Sequence, residues 1–172
     1  MQVIIFDSAQ QVAENAAQWV AELINKKPNP VLGLATGSTP ISLYKQLVNK
    51  HKAGELSFKN TTSFNLDEYL GIDANNAQSY RHFMNENLFD HVDIPTENWN
   101  VPDGTLKAGE INDYCEAYEA KIDSYLSMAS AYFPLLYRAF ASSKFLIISS
   151  IDSPTLSCLV LASLANSDFG YF

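Results

Sequence analysis

Two short stretches carry the residue types from which a reactive site could be built. In Thr36-Gly37-Ser38-Thr39-Pro40, small side chains follow the apolar run Val31–Ala35 and precede the helical pattern Ile41–Val48. Small residues let several backbone N–H groups point at one spot; Pro40 suits the first turn of a helix, and Thr39 before it is the expected N-cap. Such a loop accepts phosphate or carboxylate, helped by the positive end of the helix dipole. The same residues would also make an ordinary strand-to-helix turn. In Phe64-Asn-Leu-Asp67-Glu68-Tyr69 two adjacent carboxylates close a strand-like run. Neighbours on a strand point to opposite sides, so at most one of the pair faces a given cleft. A partly desolvated carboxylate there is suited to general-base removal of a proton beside a carbonyl or imine. The structural alternative is that Asp67 caps the next loop and Glu68 is solvated.

The remaining reactive side chains form weaker patterns. His51 closes a helical pattern, where a cation opposes the dipole favourably, and His82 and His91 lie in or just after the next one. None pairs with a carboxylate at metal-ligand spacing, so all three read as structural or surface residues and no metal is expected. Cys115 and Cys158 form neither a metal spacing nor a disulfide framework and are expected to be buried thiols in a reducing compartment. No Gly-x-Ser-x-Gly elbow, Gly-x-x-x-x-Gly-Lys loop or Gly-x-Gly-x-x-Gly fingerprint is present, which leaves nucleotide-binding versions of the phosphate loop unsupported.

The elements that would hold these stretches follow from hydrophobic period. Val3–Phe6 is an expected strand. Ser8 with Gln11 makes a capping-box pattern for a helix whose apolar face is Val12, Ala16, Trp19, Val20, Leu23 and Ile24, ended by Pro28 and Pro30. Strand Val31–Ala35 leads into a helix from Pro40 to about Lys52, with Leu43, Tyr44, Leu47 and Val48 inward and Gly54 closing it. Thr61–Leu66 has strand character, and Gly71 marks the turn after it. Gln78–Phe89 is an expected helix with Tyr80, Phe83, Met84 and Leu88 on one side. Ile111, Tyr114, Cys115, Tyr118, Ile122 and Tyr125 mark another. Strands alternating with helices predict an α/β fold, a Rossmann-like, mainly parallel sheet with helices on both faces. Ligands in such folds sit beyond the C-terminal ends of strands, where both candidate stretches fall.

Bulk properties restrict the partners. A chain of 172 residues with 47% hydrophobic content can bury one sizeable core. The net charge of −8 disfavours nucleic acid. The N-terminus lacks the basic region of a signal peptide, and no apolar run approaches the roughly 18 to 20 residues of a membrane span. The expected setting is cytoplasmic, without nucleic-acid or membrane partners.

With these residues in view, the chain resembles the glucosamine-6-phosphate deaminase (glucosamine-6-phosphate isomerase) family. The resemblance rests on Leu32-Gly-Leu-Ala-Thr-Gly-Ser-Thr-Pro40, His51-Lys-Ala-Gly-Glu55, Phe64-Asn-Leu-Asp-Glu-Tyr-Leu-Gly71, Gln78-Ser-Tyr80 and Phe89-Asp-His-Val-Asp-Ile-Pro95, and ends near Tyr118-Glu-Ala-Lys-Ile122. Sugar-phosphate lactonases share the fold and the small-residue loop. The resemblance implies conversion of glucosamine 6-phosphate and water to fructose 6-phosphate and ammonia, with no organic cofactor. It places the phosphate on Ser38 and Thr39, with Gly37 allowing close approach, and makes Asp67 the base that takes the C2 proton. The implied partner is a small aminosugar phosphate; a homo-oligomer is compatible with the sequence.

The match covers residues 1–125, read as a deaminase-like α/β region. Residues 126–172 carry four charged side chains and ten serines and read as a divergent apolar, Ser-rich tail rather than a second domain. Phe145–Ile148 is a strand candidate there, and Leu156–Leu164 a strand or short buried helix. The family's Asp-Gly-His…Phe-Asn-Glu segment, which the resemblance implies would supply a ring-opening histidine, is not found in this tail. A frameshift, splice end or truncation is the expected origin, with a genuine but diverged C-terminal half as the competing one, and impaired activity is expected. The alternatives are a non-catalytic sugar-phosphate-binding or interaction remnant and a related lactonase.

Overall fold

The computed structural model describes residues 4–129 and two further strands, at 146–149 and 158–161. Helix α1 (Ala9–Lys26) starts where the Ser8/Gln11 pattern puts it. Ser8 Oγ accepts the Gln11 N–H at 3.2 Å, while Gln11 Oε1 accepts the Asp7 N–H at 3.0 Å. Its buried face is Ala13, Ala16, Ala17, Val20, Ala21, Leu23 and Ile24. Val12, expected on that face, is exposed, and Trp19 is half-buried. Alanines take the central positions because a small side chain lets α1 approach α2 (Ile41–Lys52) closely.

Helix α2 buries Leu43, Tyr44, Leu47 and Val48 as its period predicts. Gly54 at φ 75° ends it: the Gly54 N–H donates to His51 O at 2.9 Å and the Glu55 N–H to Lys50 O at 3.0 Å. These two bonds satisfy carbonyls that a helix end leaves open, in the Schellman pattern. At the other end the expected N-cap shifts. Pro40 O accepts the first helical bond, from the Tyr44 N–H at 2.9 Å, and no side chain caps at Pro40, so Thr39 stands one position ahead of the cap.

Strands β1 (Val31–Leu34), β2 (Thr62–Asn65) and β3 (Trp99–Asn100) form a parallel sheet in the order β1-β2-β3. Leu34 lies beside Asn65 and Phe64 beside Asn100. Leu32 and Leu34 pack on one face into a core with α1, α2, Leu56, Phe58, Met84, Leu88 and Phe89. Burying a side chain such as Leu47 there contributes about 2 kcal/mol. Phe64 points to the opposite face, edge-on to Tyr118 (5.9 Å) and Tyr125 (5.3 Å) of α4 (Ile111–Ala129). Helices therefore cover both faces, as the alternation predicts.

Several local expectations differ. Ile4–Phe6 is not a strand, and Ile5 is 89% exposed; no described strand lies alongside to complete a ladder, without which a short apolar run gains nothing from extension. Val3 lies outside the described residues. The expected Gln78–Phe89 helix is two pieces: α3 (Tyr80–Asn87) and a 3-10 turn at Phe89–His91. Met84 and Leu88 are buried, whereas Tyr80 is half-exposed. Cys115, expected to be buried, is exposed; α4 turns Tyr118 and Tyr125 toward Phe64 of the sheet. In the tail, β4 (Leu146–Ser149) overlaps the expected strand, and the ambiguous apolar run is a strand, β5 (Cys158–Leu161), paired antiparallel to β4 with Ile148 beside Leu159. The rest of the proposed 126–172 tail beyond Ala129, and the thiol of Cys158, lie outside what is described. Among the described residues no helix is long and apolar enough to cross a membrane.

Candidate active site

Parallel pairing puts the C-terminal ends of β1 and β2 side by side, and the two stretches singled out in the sequence leave from those ends. Gly37, Ser38 and Thr39 form an exposed loop between β1 and α2, with Gly37 at φ 99°. That positive φ is where a side chain would be strained, so the turn requires glycine. The loop's base is held from below: the buried Tyr44 hydroxyl donates to Ala35 O at 2.5 Å, and Asn65 Nδ2 donates to Leu34 O at 2.9 Å. Burial keeps the Tyr44 phenol far from ionising, the bond to Ala35 opposing this only in part, so it remains a donor.

Asp67 follows β2 by two residues and is exposed on the same edge of the sheet. The desolvated setting expected for it is not present among the described residues. Its neighbour Glu68 departs further from expectation. Glu68 is not a solvated carboxylate but the anchor of α3: Oε1 accepts the Tyr80 N–H at 2.9 Å, and Oε2 accepts the Arg81 N–H at 3.0 Å and the Ser79 hydroxyl at 2.7 Å. A helix start presents free N–H groups and a positive dipole end, and a carboxylate one loop away satisfies both. Partial burial pushes the Glu68 carboxyl up, but the Ser79 hydroxyl and the Tyr80, Arg81 and Tyr69 amides outweigh it and hold the group below the usual glutamate range. Glu68 is thus the carboxylate that caps a helix, contrary to the alternative in which it is solvated, and Asp67 is exposed beside it at the strand end.

The loop carrying Asp67 is clamped from a third direction. The Gly71 N–H donates to Gly104 O at 2.7 Å, with Gly71 at φ 87°. A Cβ on Gly104 would run into Tyr69 O, and into Ile72 O at 2.6 Å, so the 101–106 segment can lie this close only because residue 104 is glycine. From α4, the Tyr118 hydroxyl lies 2.7 Å from Asn65 O and 2.8 Å from Asn100 O, joining the ends of β2 and β3. Burial, with Tyr114 adding to it, raises the Tyr118 phenol, which stays a donor.

Sequence reasoning missed Glu68, Tyr80, Gly104 and Tyr118 as supports of the site. For Glu68 a signal existed: Ser79 followed by backbone donors is a helix start in search of an acceptor. For Tyr118 none did, since an aromatic at helical spacing looks the same whether or not its hydroxyl meets a strand end. Of the histidines, His51 Nδ1 lies 2.8 Å from Leu56 O and His91 Nε2 lies 2.8 Å from Glu86 O, while His82 Nε2 stands 3.3 Å from Glu86 Oε1. His82 and His91 serve local structure, and His51 also lies 3.6 Å from the Asp93 carboxylate. Among the described residues no three His, Cys, Asp or Glu side chains converge as metal ligands do.

With this geometry in hand, comparison with known proteins is specific. The family model of glucosamine-6-phosphate isomerases/6-phosphogluconolactonases matches residues 6–137. A glucosamine-6-phosphate deaminase of Colwellia psychrerythraea is 87% identical over 94 residues, covering 55% of this chain and 35% of that protein. One from Shewanella woodyi is 49% identical over 124 residues, 72% of this chain and 46% of its own length. Among solved structures, a monomeric glucosamine-6-phosphate deaminase matches at TM-score 0.69 and 37% identity over 73% of this chain and 51% of that one. The 6-phosphogluconolactonase of Thermotoga maritima matches at TM-score 0.57 and 26% identity over 72% and 53%. The chain thus spans about half the length, or less, of the relatives it matches.

Proposed function

Because the chain belongs to the family of glucosamine-6-phosphate isomerases and 6-phosphogluconolactonases, we propose that its site takes an aminosugar phosphate and carries the deaminase reaction's phosphate-binding and proton-transfer elements. The observation that carries the reading is the pairing of Leu34 with Asn65, which sets the Gly37–Thr39 loop and Asp67 on one edge of the sheet. In this reading the phosphate rests on Gly37, Ser38 and Thr39, where backbone donors and the start of α2 favour an anion. Anchored there, the sugar places C2 before Asp67, whose carboxylate removes the C2 proton for delivery to C1, and the C2 amine leaves as ammonia as water adds. Glucosamine 6-phosphate and water become fructose 6-phosphate and ammonia, a step of cytoplasmic amino-sugar breakdown. The names of the deaminase relatives support this substrate over the lactone.

Residues 1–125 form the deaminase-like unit in this proposal, and 126–172 a divergent tail. The chain's three histidines are His51, His82 and His91, and each meets a partner outside the two candidate stretches: Leu56 O and Asp93 for His51, Glu86 for His82 and His91. We therefore propose that the 172-residue chain binds sugar phosphate better than it turns it over. The test is a coupled assay for fructose 6-phosphate and ammonia, run beside hydrolysis of 6-phosphogluconolactone and direct binding of glucosamine 6-phosphate. Binding with weak deamination is the expected result. Turnover comparable to a full-length deaminase would overturn the claim of impairment, lactone hydrolysis would establish the lactonase reading, and loss of all binding would remove the site.

A further inference from the structure

We infer that Asn65 is a positioning residue, whose side chain sets the distance between the anion-binding loop after β1 and the Asp67 loop after β2. It thereby favours a ligand long enough to touch both. The proposal rests on the reading of Gly37–Thr39 as a phosphate site and deepens it. Leu34 beside Asn65 is the last paired position of the two strands, and beyond it the backbone ladder gives way to the loops. There the Asn65 carboxamide adds one more link, Nδ2 donating to Leu34 O at 2.9 Å. The Asn65 carbonyl is held from the other side, accepting from the Tyr118 hydroxyl at 2.7 Å. Ala35 and Leu66 lead directly from these two residues into the candidate stretches. The buried Tyr44 hydroxyl, by contrast, ties Ala35 to α2, the helix that follows the same loop, and so shapes the loop without fixing it to β2.

The other half of the carboxamide is the second observation. Asn65 is 1% exposed, and its Oδ1 meets no donor among the described residues. A buried acceptor without a donor offsets much of what the Nδ2 bond contributes, so stability is a poor reason for a carboxamide here. What the side chain supplies is a donor across the gap between two strand ends. A sugar phosphate has a set length from its phosphate to C2, and a misplacement of the two loops on the order of 1 Å is enough to part the base from its proton. The link that holds the strand ends together holds that distance.

The experiment is an amide NMR titration of the full 172-residue chain with inorganic phosphate and, separately, with glucosamine 6-phosphate, followed at residues 37–39. Inorganic phosphate reaches only the loop, whereas the sugar phosphate also reaches the end of β2. The factor by which the sugar phosphate binds tighter therefore reads the distance between the two. In Asn65→Leu that factor is expected to fall about fivefold or more, while inorganic phosphate binds within about twofold of the unmodified chain. A side chain that only stabilises the fold would lower the unfolding temperature and leave the factor unchanged, and an unchanged factor overturns the proposal. Asn65→Asp keeps the shape and tests the bond itself, and it carries the test should Asn65→Leu fail to fold. Burial raises its carboxyl, which at about pH 5 keeps the proton it needs to donate to Leu34 O, and at about pH 8 is ionised and faces that oxygen. Measured against the unmodified chain at the same pH, the factor is expected to recover at the lower pH and fall at the higher. The same factor at both would overturn the assignment to this hydrogen bond. A sugar phosphate that binds the unmodified chain no tighter than inorganic phosphate would refute the proposal and leave the anion site standing. No shift at 37–39 with either ligand would remove the phosphate reading, and the proposal with it.

Discussion

The Ser79 hydroxyl donates to Glu68 Oε2 at 2.7 Å, tying the residue beside Asp67 to the first turn of α3. This single contact explains why two adjacent acidic residues play different parts. Glu68 is consumed by a helix start, and the chain between it and β2 is thereby held with Asp67 at the strand end. A strand end is a loosely determined place, and here the helix N-terminus determines it.

Glu68→Gln removes the charge and keeps the shape, and is expected to lower stability by about 1 kcal/mol, given a charged bond discounted for partial exposure. The pH dependence has a definite sign. Glu68 is held below its ordinary value of 4.5 in the folded chain, so the unfolded chain takes up the proton first as pH falls. Its contribution is complete above that ordinary value and disappears as pH drops through the lower folded value. Urea unfolding of both forms should show a gap at pH 7 that closes on acidification; a gap independent of pH would contradict the assignment.

Gly104→Ala tests the clamp behind the Asp67 loop. A methyl group there meets backbone carbonyl oxygens that cannot swing aside as a side chain would, and a loss of about 1 to 3 kcal/mol is expected. The amides of Tyr69 and Gly71 should move more than those of the Gly37–Thr39 loop. A neutral substitution would mean that the 101–106 segment does not press on this loop in solution.

Tyr118→Phe deletes a hydroxyl that meets both Asn65 O and Asn100 O. Two carbonyls at strand ends lose a partner, and about 1 to 2 kcal/mol is the expected cost, less if water replaces the hydroxyl. Because the ring is retained against Phe64, the loss isolates the hydroxyl from the packing. Thermal unfolding of the two forms measures it.

Ser38→Ala with Thr39→Ala should weaken binding of glucosamine 6-phosphate by about tenfold or more, the worth of at least one hydrogen bond to a charged group. Asp67→Asn should leave that binding within about twofold while abolishing any ammonia release, since general-base work needs the ionised carboxylate and phosphate binding does not. Calorimetry and the coupled assay separate the two outcomes. Equal loss of binding in both variants would put Asp67 in the anion site instead.

Much of this architecture is written locally. The Ser8/Gln11 cap, the α2 stripe Leu43, Tyr44, Leu47 and Val48, the Gly54 stop and the glycine turns at 37 and 71 are each decided by residues within one or two turns of chain, so period and steric preference suffice to place them. The parallel sheet follows from alternation of strand and helix, and the two candidate stretches at neighbouring strand ends follow from the sheet. The family's quoted motifs also gain physical reasons: Asp93 of the Phe89–Pro95 stretch accepts from the Ser57 hydroxyl at 2.6 Å and lies 3.6 Å from His51 Nδ1, linking it to the His51–Glu55 helix stop. What sequence could not decide were choices made between distant segments. Which carboxylate caps and which is presented depends on α3 arriving eleven residues later to offer Glu68 a hydroxyl and two amides. Gly104 is an unremarkable loop glycine until the Asp67 loop lies against it, and Cys115 is apolar by type yet exposed because α4 meets the sheet along its tyrosines. Short-range geometry fixed the parts and the edge on which they gather; that Glu68 is the carboxylate tied to a helix start was settled only by contacts across the fold.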